Sequence, residues 1–159
     1  MGARRLQEHA WTTYRVRISE GEAIHHRQRF FQTYRGVQQW HRQTAARLKA
    51  ERTLDTRTLA GRRRLGVAKF TEALNTPVQG TGADGLKSAL ARLFASRDEV
   101  PNARLIAVVH DELLAECPEA DAESTAQWLA RHMTAAMQEM VGDEVPTTVD
   151  VTHGPSWAG

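Results

Sequence analysis

Cysteine is nearly missing: Cys117 alone occurs in 159 residues, so no internal disulfide can form and no multi-cysteine zinc site exists. No apolar run approaches the ~18 residues that a membrane span needs, and the leading MGARRLQEHAW has none of the apolar character of a secretory signal. Glycine and proline, 11 and 5 residues, show no Gly-X-Y period, and no internal repeat or low-complexity tract is present. Collagen-like, disordered, membrane-spanning and disulfide-scaffold classes drop out. What remains is a globular chain, expected in the reducing cytoplasm, whose 41% hydrophobic content suffices for a core.

Charge is present in excess but hidden by the mean. The formal net charge is +2, yet residues 1–70 hold 16 Lys and Arg against 5 Asp and Glu, whereas 71–159 hold 5 against 14. A half carrying +11 reads either as the electrostatic footprint of a polyanion or as a solvated helix surface.

Ser19-x-x-Glu22 is a capping box with Ile24, Phe31, Tyr34 and Val37 behind it at helical spacing, so a helix should begin near 20 and break at Gly36. Val37, Trp40, Thr44 and Leu48 mark one face of a second helix. TLDTRTLAGRRRLG mixes β-branched residues, Gly61 and three arginines, and reads as a short ribbon or loop presenting Arg62, Arg63 and Arg64. A helix over about 67–75 should stop before Pro77. Thr81-x-x-Asp84 should cap the next helix, with Leu86, Leu90, Leu93 and Phe94 as a core stripe. ARLIAVVHDELLAECPE predicts a β-hairpin turning at His110-Asp111-Glu112, and from Pro118 a helix runs to about Gly142 with Ala126, Leu129, Met133, Met137 and Met140 facing the core. TTVDVT is a last strand. The expected class is α+β, with about six helices and a small antiparallel sheet of strands near 104–109, 113–117 and 147–152.

Two motifs carry chemistry. GTGADG, Gly80 to Gly85, has the G-x-G-x-x-G form of a dinucleotide loop, but such a loop must follow a buried strand, and the preceding ALNTPVQ, with Asn75, Pro77 and Gln79, is no strand. His110-Asp111-Glu112 puts two carboxylates where a hairpin tip favours Asn-Gly or Asp-Gly. The tip is either a solvated polar turn or half of a site for a hard cation such as Mg²⁺, which takes one or two carboxylates and leaves its other positions to water and phosphates.

ALNTPVQGTGADGLKSAL resembles the helix pair that follows motif B in family A (Pol I type) DNA polymerases, and ARLIAVVHDELLAECP resembles their motif C, with its V-H-D-E-L signature. MGARRLQEHA, RFFQTYRGVQQWH, TLAGRRR and VDVTHGPSWAG are similar to further elements of that family in the same order. The resemblance implies distal fingers and primer–template-contacting helices over residues 1–100 and part of the palm, with the motif C hairpin, over 101–159. It implies minor-groove contacts from Asn75 and Gln79, Arg62 and Arg63 either near the phosphates or closing the fold nearby, a metal-holding carboxylate at Asp111, an auxiliary one at Glu112, and His110 near the primer terminus. Primer–template DNA and deoxynucleoside triphosphates would be the partners and Mg²⁺ the cofactor. Replication or repair in a bacterial or phage-derived nucleoid would be the setting.

The chain departs from the family pattern at Thr71, where an Arg is usual, and at Val108, where a Gln is usual. No segment reads as motif A, D-Y-S-Q-I-E, and the chain opens after the position of the nucleotide-binding fingers helix. One of two essential carboxylates is therefore expected here, so these residues alone should be inactive and an amino-terminal polymerase fragment is the expected partner. A non-catalytic duplex-binding module, or degenerate relic, is the rival expectation.

Overall fold

The computed structural model describes residues 2–157, and the chain divides into two compact units, Met1–Arg52 and Thr53–Gly159. The first is helical: α1 (Ala3–Tyr14), α2 (Glu20–Thr33) and α3 (Arg35–Glu51). The capping box forms as expected, with Glu22 N–H donating to Ser19 Oγ at 3.2 Å and Ser19 N–H donating to Glu22 Oε2 at 2.7 Å. The break after α2 comes at Tyr34 (φ −103°, ψ 68°) and not at Gly36, which lies in the first turn of α3, where intrahelical N–H partners are absent anyway.

The second unit opens with an antiparallel ribbon, β1 (Leu54–Arg57) and β2 (Arg63–Val67), paired from Leu54↔Val67 to Arg57↔Arg63. An extra residue bulges β2 near Gly66, whose φ of 65° suits glycine and whose N–H donates to Asp55 Oδ1 at 3.1 Å. There follow α4 (Phe70–Ala95), β3 (Arg104–Val109) paired antiparallel with β4 (Glu112–Glu116), and α5 (Ala122–Val141). Ile106 is the extra residue of a bulge in β3, between the pairs Leu105↔Ala115 and Ala107↔Leu114.

The class is α+β as expected, and the five helices among the described residues come close to the expected six, although two segments expected as separate helices are joined in one. Pro77 does not end a helix; it sits inside the 26-residue α4. A proline there forgoes one backbone hydrogen bond and costs about 3 kcal/mol in an isolated helix, but α4 packs on the β1–β2 ribbon and on α5, and that burial holds the chain helical. Thr81 is consequently mid-helix and caps nothing: its hydroxyl donates to the Pro77 carbonyl at 2.6 Å and accepts from Leu59 N–H at 3.0 Å. GTGADG is likewise helix interior and follows no strand, in agreement with the argument against a dinucleotide loop. Two of its glycines serve packing instead. A Cβ on Gly80 would stand 2.6 Å from Thr58 Cγ2, and one on Gly85 2.6 Å from Met137 Sδ.

The core gathers Leu93, Val100, Trp128 and Leu129, with Ala103, Leu113 and Ala115 packed against them, and the Trp128 indole N–H donates to Ser96 Oγ at 2.9 Å. The leucine stripe of α4 is only partly core: Leu93 is fully buried, Leu86 and Leu90 half-buried, and Phe94 is 68% exposed. On α5, Leu129 is buried while Met133, Met137 and Met140 are half-buried. The expected strand at 147–152 carries the right alternation, Thr147, Val149 and Val151 half-buried between exposed neighbours, but pairs with no strand among the described residues. Alternation reports which face turns inward and leaves open whether an edge is available to pair. Among the described residues the sheet expected as three strands is therefore the two-stranded β3–β4 hairpin, separate from the β1–β2 ribbon. Among the described residues no helix is long and apolar enough to cross a membrane.

Leu93→Ala should lower unfolding free energy by about 2–5 kcal/mol, the usual cost of emptying a fully buried leucine site. Denaturant melts of the two proteins measure it, and a loss below 1 kcal/mol would contradict the core assignment.

Candidate nucleic-acid interface

The hairpin tip breaks the turn rule in a specific way. Val109 pairs with Glu112, which leaves His110 and Asp111 as the whole connection, and His110 takes the left-handed conformation (φ 58°) that glycine ordinarily supplies. His110, Asp111 and Glu112 are all exposed. The two-residue turn lets neighbouring residues escape the strict alternation of a strand, and it sets His110 and Asp111 on the rim of a groove of about 760 Å³. Gln79, Gly82 and Leu86 of α4, and Met133 and Met137 of α5, form other parts of its wall. Glu112, opposite Val109 in the ladder, is not part of that wall.

A second hollow, about 380 Å³, lies where the β1–β2 ribbon meets α4 and is lined by Arg62, Arg63, Arg64, Thr76, Gln79 and Gly80. Each arginine is aimed by an acid. Arg62 Nε donates to Asp84 Oδ1 at 2.7 Å while its Nη2 reaches the Gly80 carbonyl at 3.1 Å. Arg63 Nη2 donates to Asp55 Oδ2, and Arg64 Nη2 to Glu72 Oε2, each at 2.7 Å. The three side chains are about half-exposed (50%, 50% and 53%), so guanidinium N–H groups remain at the surface for a further acceptor. The Thr58 hydroxyl first, and Arg62 after it, hold the Asp84 carboxyl below the ordinary aspartate range despite its near-burial. The Gly66 N–H and Arg63 do the same for Asp55.

Gln79 borders both hollows, so the structure brings it together with Arg62 and Arg63 on one side and with His110 and Asp111 on the other. Asn75 lies four residues earlier on α4, exposed on the same helical face, outside both linings. The aiming residues Asp55, Thr58, Glu72 and Asp84 escaped the sequence reading, because their partners are 8 to 22 residues distant or, for Thr58, recognisable only once Gly80 is seen to admit it. Among the described residues no group of three or more His, Cys, Asp or Glu is placed to hold a metal ion. A donor set of one or two exposed carboxylates at a rim suits a hard cation that completes its shell with water and ligand phosphates.

The family profile described as DNA polymerase family A matches residues 1–159. The chain is 35% identical over 158 residues to DNA polymerase I of Aquifex aeolicus, covering 99% of this chain and 27% of that protein. It is 35% identical over 168 aligned positions to the thermostable DNA polymerase I of Thermus thermophilus, covering 99% and 19%. Among solved structures, the POL domain of Pol1 from M. smegmatis in complex with DNA primer-template and dNTP is similar at a TM-score of 0.62 and 28% identity, covering 75% of this chain and 23% of that one. The chain thus spans about a quarter or less of the curated relatives' length.

Asp84 generates a pH prediction. Its folded pKa lies below the unfolded value, so its contribution is whole above the ordinary aspartate range and is lost as pH falls through the folded value. Asp84→Asn should cost about 1 kcal/mol near neutrality, a fall in Tm of roughly 2–4 °C, once solvent screening of the half-exposed Arg62 is allowed for. Thermal melts from pH 7 to pH 3 should show the wild type converging on the variant at the acid end; parallel curves would refute the pairing.

Proposed function

The chain belongs to DNA polymerase family A, and from that premise we propose that it supplies the primer–template grip and one metal-holding carboxylate of template-directed nucleotidyl transfer. Residues 1–100 would then be distal fingers and template-contacting helices, and 101–159 the part of the palm that carries the hairpin tip. The observation that carries this reading is the position of Gln79, whose amide stands between an arginine-lined hollow and a groove rimmed by Asp111.

A polymerase must hold every correct base pair equally. The minor groove allows this because purine N3 and pyrimidine O2 are acceptors in all four pairs. The Gln79 amide, with Asn75 one turn away, offers donors of that kind on one helical face. Arg62 and Arg63, already aimed by Asp84 and Asp55, would take the backbone phosphates beside it. Such contacts ignore sequence and weaken with salt. On the other side of Gln79, Asp111 would hold Mg²⁺, with Glu112 as an auxiliary carboxylate and His110 beside the primer terminus. When bound as a pair, such ions activate the primer 3′-oxygen and stabilise the departing pyrophosphate.

These 159 residues contribute one such carboxylate position, so a segment with a second is needed, and an amino-terminal portion of a family A polymerase is its expected source. The incoming substrates would be deoxynucleoside triphosphates and the setting the bacterial or phage-derived nucleoid. A second reading, a non-catalytic duplex-binding module, is favoured by the lack of a three-donor cluster among the described residues. Restoring synthesis by supplying the missing portion separates the two.

The purified chain should bind blunt duplex DNA with an affinity that falls steeply with salt, the log–log slope reaching several. Gln79→Ala should weaken binding several-fold at every sequence tested. Alone, the chain should not extend a primer; supplied with an amino-terminal fragment of a family A relative, it should. In that mixture Asp111→Asn should cut extension by orders of magnitude, each ~1.4 kcal/mol of lost charge stabilisation being tenfold in rate, while duplex affinity stays within about twofold. Unaided extension by the wild type would overturn the division of the site, and full extension by Asp111→Asn would overturn the assignment of the carboxylate.

A further inference from the structure

The β3–β4 hairpin leaves an edge without a neighbour. Among the described residues β3 pairs with β4 alone, the segment 147–152 pairs with neither, and no backbone group of β3 bonds outside that ladder. The strand is nevertheless apolar on both faces. Leu105 and Val108 emerge on the side of their partners Ala115 and Leu113, which pack on the core, yet they are 37% and 48% exposed. Ala107 and Val109 are half-buried on the other side, and Ile106, at the bulge, is 54% exposed. Such a composition belongs to the interior of a sheet, and a free edge that carries it is a template for another strand. Of the devices that blunt an edge, Lys and Pro are missing from Arg104–Val109, and the bulge at Ile106 adds an apolar side chain rather than a charge.

We propose that the free edge of β3 pairs antiparallel with β3 of a second copy of the chain, joining the two hairpins of a dimer into one four-stranded sheet. The features used belong to the hairpin alone, so the proposal stands apart from the polymerase reading. Charge complementarity selects both the occupant and the direction. Arg104 stands at one end of the strand, and the acidic tip, Asp111 and Glu112, lies just beyond the other. Antiparallel pairing with Arg104 abreast of Val109 of the second copy brings each cation to the other copy's acidic tip, twice over by symmetry. Val109 is opposite Glu112 in its own ladder, so Arg104 of one copy and Glu112 of the other fall in one cross-strand row on one face. Two strand spacings, ~10 Å at the backbone, separate them, a gap that an arginine and a glutamate bridge together. Parallel pairing would instead set like charges side by side. The contact is isologous: each copy uses the same edge, and assembly stops at two.

The test is sedimentation velocity of the whole chain without DNA, over concentrations from about 5 to about 200 μM. Six residues a side make a small interface, so association should be weak and reversible, the average mass rising from one chain towards two across that range. This register sets the two-fold axis between Ile106 and Ala107. Ile106→Lys, which places two like charges beside that axis from an exposed position, should remain a single chain throughout. Arg104→Glu should weaken association about tenfold, and the exchanged pair Arg104→Glu/Glu112→Arg should restore most of it. If Arg104→Glu lowers the Tm, because Glu116 is its ladder partner, Ile106→Lys alone carries the test. A wild type that stays single, an Ile106→Lys variant that still dimerises, or an exchanged pair as weak as a well-folded Arg104→Glu would overturn the proposal. So would growth past two chains, which an isologous pair forbids. A wild type that is single by itself but joins an amino-terminal fragment of a family A relative, through an edge that Ile106→Lys disables, would give the edge to that fragment and overturn self-pairing. Duplex binding and primer extension hold or fail separately from all of these results.

Discussion

The unbroken run of α4 through Pro77 is the constraint on which the Thr53–Gly159 unit depends. At about 1.5 Å per residue its 26 residues make a rod of roughly 39 Å, and everything functional in that unit is set against it. Asn75 and Gln79 share a face only because residues on either side of Pro77 keep helical phase. Asp84 stands within reach of Arg62 for the same reason, two turns beyond the proline. A helix that stopped at 75 would leave the arginine ribbon without its counter-charges and the groove without a wall. The local penalty of one proline is outweighed by packing along both flanks.

The arginine triplet illustrates how direction is exchanged for net charge. Three adjacent guanidinium groups with no partners would repel one another and sample many rotamers. Asp84, Asp55 and Glu72 each take one of them, from α4, β1 and α4 respectively, and in doing so lower the local positive charge. What is gained is orientation: the Arg62 fork is held by a carboxylate and a backbone carbonyl together, which fixes its plane. Pairs as open to water as those of Asp55 and Glu72 add little to stability, so their value lies in where they leave the remaining N–H donors.

Much of this was legible in the sequence wherever the determinant is local. The capping box at Ser19, the β1–β2 ribbon and the hairpin around His110-Asp111 depend on a few adjacent residues, and each formed as read. The helix boundary at Pro77 failed because tertiary packing overrode a local preference, and the leucine stripe was partly wrong because small residues, Gly85 and Ala89, and not Leu86 and Leu90, make the close contact of α4. The last strand failed since pairing needs an edge that alternation cannot announce. Within the site, His110 and Asp111 joined Gln79 in one groove, but Glu112 and Asn75 fell outside its lining. No pattern in one dimension could reveal that Thr58 fills the space left by Gly80.

The bulge at Ile106 has a consequence in parity. Each residue of a strand reverses the side on which the next emerges, and Arg104 and Val109 are separated by an odd number of steps, so on a regular β3 the base and the tip of the hairpin would face opposite sides. Ile106 takes up the odd step: the partners Glu116 and Glu112 lie an even number of steps apart on β4, so base and tip share a side, and the left-handed turn at His110 follows from there. Whether Asp111 meets the groove thus depends on a count being odd or even. A further single insertion or deletion in β3 that no bulge absorbs would turn the tip over and carry the Asp111 carboxylate to the opposite face.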